Sequence, residues 1–317
     1  MVTNKSILNG VLLVNKSAGM TSHDVVQRIR KLIGQRRVGH TGTLDPMATG
    51  LLAVCLGSAT KIARFVSDMD KTYEADIRLG RTSKTYDAEG VDANQPEQTV
   101  PHVSQSELEL LLSEFVGVIR QKVPVFSAVR IGGKRLYKLA RKGISTDIPE
   151  REIEIKRIEI MDFSPPHLRI QVSCTKGTYI RSLAHDIGRR LECGGYLADL
   201  ERLNIGHLNV NDALTLEQIA NHRDNGTLAN HLLDYDDVLD YGAILIRDEF
   251  RQFVESGRQP RNTDILGIEG AFRPGDRILL KDDRGSVLAV GIAGVASDSI
   301  SGSAQQNSLF NYVRVLN

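Results

Sequence analysis

Short apolar runs alternate along this chain with one-sided helical stripes. Residues 11–14 form an unbroken apolar run and read, through Asn15, as a buried strand. Thr21 or Ser22 then caps a helix whose apolar positions, Val25, Val26, Ile29, Leu32 and Ile33, share one face. Residues 51–56 are a second apolar run, a buried strand or the start of a core helix. Tyr73, Ala75, Ile77 and Leu79 alternate as one strand face. Residues 80–101 hold Gly, Asp, Asn and Pro without period and read as loop. Ser104 and Glu107 make a capping box ahead of the stripe Leu108, Leu111, Leu112 and Phe115. Alternation returns at Ile153, Ile155, Ile158 and Ile160, interrupted at Lys156 and Arg157 as by a bulge. It returns again at Leu168, Ile170, Val172 and Cys174. Residues 176–181 (KGTYIR) then lead into a helical pattern through Leu183, Ile187 and Leu191.

Strands separated by helices without regular βαβ spacing predict an α+β fold: a mixed, largely antiparallel sheet flanked by helices. Residues 235–241 are acidic and read as loop. Beyond them short strands and tight turns take over. Gly275-Asp276 precedes an apolar triplet at 278–280, and residues 282–285 (DDRG) turn into a strand at 287–292. Residues 297–308 are polar and of low complexity, and 312–316 form a last strand. The pattern predicts a large domain over residues 1–242 and a small β-barrel over 243–317.

A 41% hydrophobic fraction over 317 residues supports a buried core. No apolar stretch approaches the length of a membrane span, and the N-terminus lacks a signal pattern. The three cysteines, Cys55, Cys174 and Cys193, are widely spaced, which fits small core residues in a cytoplasmic protein and neither a zinc site nor a disulfide frame. Charge changes the picture more. The net charge is only +1, yet residues 115–146 contain no acid and hold Arg120, Lys122, Arg130, Lys134, Arg135, Lys138, Arg141 and Lys142. Gly132-Gly133 reads there as a turn between strand-like residues 128–131 and helix-like 136–141, a protruding grip for a phosphate backbone. A second acid-free cluster holds Arg28, Arg30, Lys31, Arg36 and Arg37, while Asp234, Asp236, Asp237 and Asp240 gather elsewhere. Such segregation predicts a positive face and a nucleic-acid partner.

Between the basic clusters lies the richest segment for chemistry, residues 39–50 (GHTGTLDPMATG). Three glycines and a proline make it a shaped loop presenting one carboxylate, Asp45, or else a tight turn with an Asp capping its own backbone. Residues 34–41 (GQRRVGHT) approach the phosphate-cradling pattern G-x-x-x-x-G-K-[ST] but carry His40 where the lysine belongs, and they follow a helical pattern rather than a strand. His185-Asp186 has no nucleophilic serine in a recognisable elbow and reads as a helix pair without catalytic role.

The loop extended through residue 61 (GHTGTLDPMATGLLAVCLGSATK), KGTYIR at 176–181, and Lys16 before Gly19-Met20-Thr21 stand in an order and spacing that resemble the TruB family of tRNA pseudouridine synthases. The resemblance runs from about residue 10 to about 206. A weaker likeness to the PUA-type RNA-binding domain covers the C-terminal region. The resemblance implies isomerisation of uridine to pseudouridine at position 55 of tRNA, in the T-loop. It implies neither cofactor nor metal, tRNA through its T-arm as partner, no obligatory protein partner and no membrane. Asp45 is by this resemblance the catalytic aspartate, and Arg181 its partner. Tyr73 matches the tyrosine that stacks on the target ring, and His40 the histidine that fills the space the base leaves. Tyr179 belongs to the motif with Arg181. Leu200 matches an apolar pocket wall and Lys16 the first-motif lysine. Residues 121–149 correspond to the mobile RNA-gripping insertion. Two positions depart from the family pattern: Ser17 stands where proline is usual, and Glu201 where a basic residue is common.

The residue types suit the chemistry. A carboxylate can add covalently to sugar or base, or take a proton from the ribose; the residues do not choose between the two. Either route needs Asp45 ionised in a dry pocket, where burial alone would neutralise it and a permanently charged arginine would offset that. Two other readings share the basic faces and terminal barrel: an RNA-binding or tRNA-folding module whose catalysis is dispensable, and a guide-RNA-dependent synthase.

Overall fold

The computed structural model describes residues 7–127, 129–140, 142–144, 147–300 and 309–316. Its centre is one large sheet. Eight strands form the main path, in the spatial order Leu232–Leu233, Gly10–Lys16, Thr49–Leu56, Gly195–Ile205, Lys71–Leu79, His167–Cys174, Glu150–Ser164 and Gly117–Lys122. Two short strands, Val38–His40 and Leu208–Asn209, pair alongside. All pairings described in this sheet are antiparallel except one, in which Glu201 faces Thr49 and Arg202 faces Gly50. The mixed, largely antiparallel sheet expected from the sequence is thus present.

The apolar runs are buried on both faces because successive side chains enter different cores. Leu12, Val14, Leu52, Val54 and Leu56 meet helix Ser22–Ile33 through Val25, Val26, Ile29 and Ile33. Val11, Leu13, Leu51, Ala53 and Cys55 meet Phe65, Val66, Val238 and Leu239 on the opposite face. Thr21 caps the first helix, in a capping box with Asp24, and Gly34 ends it in the left-handed conformation. Residues 34–41 are therefore a helix stop followed by a strand, not a phosphate cradle. In the other half of the sheet, Ala75, Ile77, Ile170 and Val172 pack against Leu108 and Leu112 of helix Gln105–Ser113 and Leu183 and Ile187 of helix Ile180–Arg190. Gly188 lets that helix close on the chain at Gly195: a Cβ at 188 would lie 2.1 Å from the Gly195 nitrogen. The bulge expected at Lys156 is a register shift between Ile155 and Arg157.

The acidic segment expected as loop is instead helix Tyr235–Leu239. Asp234 caps it, accepting from the nitrogens of Asp236 (2.9 Å) and Asp237 (3.0 Å), and the acids of the first turn complement the helix dipole. A second sheet follows, with strands in the order Ile265–Glu269, Ala243–Ile246, Arg277–Lys281, Val287–Ala293 and Phe310–Val315. Its two end strands do not pair with each other among the described residues. Ile278 and Leu280 face its own core, with Phe250 and Phe310, whereas Ala243, Leu279 and Val290 pack against the large sheet's core. Residues 301–308 of the polar tract lie outside the described residues. No described helix is long and apolar enough to cross a membrane.

The single parallel junction carries a sharp prediction. Gly50 has φ +94°, and a Cβ there would lie 2.4 Å from the Arg202 carbonyl oxygen and 2.8 Å from its nitrogen. Gly50→Ala is expected to lower unfolding stability by about 2–4 kcal/mol through backbone strain and overpacking, read as a reduced urea midpoint at unchanged slope.

Candidate active site

Asp45 sits on the connection between strands Val38–His40 and Thr49–Leu56, where the parallel junction opens the sheet. The loop is held by its backbone and by neighbours rather than by the carboxylate. Ser22 Oγ donates to the Leu44 carbonyl (3.2 Å) and accepts from the Leu44 nitrogen (2.8 Å). The Pro46 carbonyl accepts from the Gly19 nitrogen (2.8 Å) and from Lys16 Nζ (3.3 Å). The Ala48 nitrogen donates to the Asp45 carbonyl (3.1 Å). The carboxylate is left to project into a cavity of about 700 Å³. Its walls include Tyr73, Asp87, Phe126, Tyr179, Arg181, Leu200 and Arg202.

Arg181, 5% exposed, meets this carboxylate with Nε 2.8 Å from Oδ2, while Nη2 donates to Oδ1 at 3.3 Å. The rest of the fork is committed behind it. Nη1 donates to the Thr85 carbonyl (3.1 Å) and to Asp87 Oδ2 (3.3 Å), and Nη2 to the Phe126 carbonyl (3.1 Å). Asp87 is itself buried and fixed, accepting from Thr85 Oγ1 and from the Glu89 nitrogen (3.1 Å). One arginine thus joins an accessible carboxylate, a buried one and two loops. Such a fork can fix the orientation of the Asp45 carboxylate from two donors, which a single ammonium could not.

Tyr179 precedes helix Ile180–Arg190, its backbone gripped on both sides by buried Gln121: Oε1 accepts from the Tyr179 nitrogen (2.8 Å), and Nε2 donates to its carbonyl (3.0 Å). Tyr73 stands opposite Arg202 in the strand register. Burial pushes its phenol up in pKa, and the Arg202 charge and hydrogen bond partly oppose this. Leu200 is buried at the wall, two residues before Arg202.

Two expected site residues, Lys16 and His40, are not among the residues that line the cavity. Lys16 is fully buried beneath the loop rather than in the cavity wall. Its Nζ donates to the carbonyls of Ser17 (3.0 Å), Met20 (2.8 Å) and Pro46, so its donors are used in clamping the chain. Burial lowers its pKa, the Asp45 charge raises it, and Arg202 lowers it again. The departure at Ser17 falls within this clamp. His40 ends the strand Val38–His40, and burial, Arg202 and His23 lower its pKa. Its Nδ1 is buried without a hydrogen-bond partner among the described residues. Glu201, the other departure, precedes Arg202 in the strand, and burial together with Glu74 and Asp199 raises its carboxyl pKa.

The basic insertion reaches the cavity by one flank. Gly132-Gly133 forms the turn between the two-residue strands Arg130–Ile131 and Lys134–Arg135, and helix Leu136–Ala140 follows. Leu136 and Leu139 point inward, while Arg130, Lys134, Arg135, Lys138 and Lys142 are exposed. Arg141 and Ala128 lie outside the described residues. Arg36 and Arg37 are exposed past the first helix, and Arg37 Nε donates to Thr60 Oγ1 (2.9 Å).

Sequence reasoning missed Asp87, Arg202 and Lys71. Asp87 sits in the stretch read only as loop. Arg202 is 1% exposed; its Nε donates to the Leu51 carbonyl (2.7 Å) and its Nη2 to that of Gly42 (3.2 Å). The signal for Arg202 was a cation inside an alternating strand, beside Leu200. Lys71 lines the cavity two residues before Tyr73, its ammonium held by the Ser67 carbonyl (2.5 Å) and that of Met69; burial first, and Arg202 second, lower its pKa to about 8.

Comparison with known proteins follows the same segments. Residues 30–180 match the model of the TruB family pseudouridylate synthase N-terminal domain, and 181–240 that of the tRNA pseudouridylate synthase B C-terminal domain. The chain is 41% identical over 260 residues to tRNA pseudouridine synthase B of Clostridium kluyveri, covering 82% of this chain and 88% of that one. It is 39% identical to the protein of the same name from Bacillus pumilus (80% and 88% covered) and 45% identical to that of Francisella tularensis subsp. novicida (69% and 72%). In three dimensions it resembles the structure of an H/ACA ribonucleoprotein bound to a substrate RNA containing 2′-deoxyuridine, with TM-score 0.75 at 21% identity, over 98% of this chain and 86% of that one. The archaeal box H/ACA Nop10-Cbf5 complex gives 0.74 at 22%, over 98% and 87%. At these identities the two structures speak for the fold alone. The sequence matches go further, and by them the chain belongs to the TruB family of pseudouridylate synthases.

Proposed function

We propose that this protein isomerises uridine to pseudouridine in tRNA, at position 55 of the T-loop, with Asp45 as the reacting carboxylate. The observation that carries the reading is the Asp45–Arg181 pair in the wall of a cavity large enough to admit an extruded nucleotide. The net change breaks the C1′–N1 bond and forms C1′–C5; C5 loses a proton and N1 gains one. Asp45 either adds covalently or removes a ribose proton, and the ion pair serves both by pairing and aiming the reacting carboxylate. The target base must leave its stack at a cost of a few kcal/mol. Tyr73 offers a ring against which the extruded base returns about 1–3 kcal/mol. Tyr179 and Leu200 complete an apolar slot that keeps water from the intermediate.

In the same reading, the exposed cations of the insertion, together with Arg36 and Arg37, grip the T-arm backbone. His40 comes into play only as the base departs, and Lys16 holds the loop from below. Residues 243–317 act as a PUA-like RNA-binding domain.

The test uses the purified chain and a bare tRNA transcript. Pseudouridine is mapped by chemical adduct formation and primer extension. The expected result is one reverse-transcription stop, at the T-loop uridine, without guide RNA or added protein. A transcript left unmodified, or modified only when a guide RNA is supplied, would overturn the reading.

A further inference from the structure

We propose that Tyr86 is a positioning residue for the Asp45–Arg181 pair: stacked on His185, its ring locks the loop that holds the guanidinium. The proposal rests on the reading that this pair performs the isomerisation.

Tyr86 has φ +64°, a left-handed conformation that bulky side chains rarely adopt and that persists only where the surroundings over-determine it. Its backbone is tied at both ends. The Tyr86 nitrogen donates to the Ser83 carbonyl (3.3 Å), and the Leu197 nitrogen donates to the Tyr86 carbonyl (3.0 Å). Its ring lies on that of His185, with centroids 4.0 Å apart and planes 14° from parallel. Glycine or asparagine would take this backbone conformation at lower cost. What the tyrosine adds is the ring.

Its neighbours give the ring a purpose. Thr85, on one side, accepts from Arg181 through its carbonyl; Asp87, on the other, accepts through its carboxylate. His185 follows Arg181 by four residues on helix Ile180–Arg190, so both side chains share one helix face. A single short loop therefore holds that face at two successive turns, by charge at Arg181 and by stacking at His185. Burial and Arg189 lower the His185 pKa, which keeps the neutral ring as the stacked form. Its Nδ1 is buried without a partner among the described residues, leaving the stack as the described anchor of that side chain. Without the ring, the loop is free to shift, and the guanidinium with it. Misplacement of a reacting group by about 1 Å can cost as much as 10²-fold in rate.

Single-turnover pseudouridine formation, tRNA affinity and thermal midpoint are measured for Y86G, Y86F and Asp45→Asn. Glycine removes the ring while relieving the backbone, so folding is not put at risk. Y86G is expected to slow single turnover by about tenfold or more with tRNA affinity within about twofold of the parent, and Y86F to restore the rate to within about twofold. A parent-like rate in Y86G, or equal losses in Y86G and Y86F, overturns the role of the ring. A loss of affinity in step with the rate also overturns it, because Tyr86 would then be an RNA contact. Asp45→Asn separates the two levels. If it stays active, the underlying reading fails with the proposal; if it is inactive while Y86G is parent-like, only the positioning role fails.

Discussion

Asp45→Asn is expected to reduce single-turnover pseudouridine formation by roughly 10⁴-fold or more while leaving tRNA affinity within about twofold. The expectation is clean because the loop does not depend on the carboxylate it presents. Ser22 on Leu44, and Gly19 and Lys16 on Pro46, remain in place when Oδ2 becomes an amide. Nor does Arg181 become an orphan. It keeps Asp87 and the carbonyls of Thr85 and Phe126, so the buried charge stays compensated. The amide is nearly isosteric, but it can neither attack as an anion nor accept a proton from the ribose. Filter binding on the same preparation reports affinity. A variant that both binds and turns over would remove Asp45 from the chemistry. A variant that no longer binds would show that the loop is an RNA contact first.

What was legible in the sequence follows from the range of the interactions concerned. The first helix announced itself because its stripe and its Thr21 cap are local, and the structure returns both. The large sheet was legible for the same reason, since alternation at 73–79 and 168–174 reports which face is buried. The apolar run at 51–56 left strand and helix open; its neighbours on both faces decide for strand, and no local signal carries them. The acidic run at 234–240 was misread because capping and solvation use the same residues, and only the backbone shows that Asp234 caps a helix. Asp45 and Arg181 stood out by motif. Asp87 did not, because its role comes from a partner 94 residues away, in a stretch whose composition says only loop. Arg202 escaped for the opposite reason. A cation in an alternating strand is expected to face solvent, whereas this one is turned under the Gly42 carbonyl.

Arg181→Lys tests whether the charge or the shape of the partner matters. Both side chains are cationic, so a purely Coulombic partner would tolerate the exchange. The geometry predicts otherwise. The guanidinium reaches Asp45 by Nε and Nη2, Asp87 and Thr85 by Nη1, and Phe126 by Nη2. A lysine ammonium is a point with three donors on a flexible stem, and it cannot face two carboxylates and two carbonyls on opposite sides at once. Drawn to buried Asp87, it leaves Asp45 without a partner; drawn to Asp45, it leaves Asp87 charged and buried. Either arrangement unfixes the carboxylate that must be ionised and aimed. Loss of a preorganised charged donor of this kind corresponds to about 10²–10³-fold in the chemical step, or about 2.7–4 kcal/mol of transition-state stabilisation. Arg181→Lys is therefore expected to lose that factor in single turnover, with tRNA affinity within about twofold. The guanidinium is part of the cavity wall but only 5% exposed, so it offers the RNA backbone almost nothing to lose. A parent-like rate would mean that a bare positive charge suffices, and would take the fork, with Asp87 behind it, out of the mechanism.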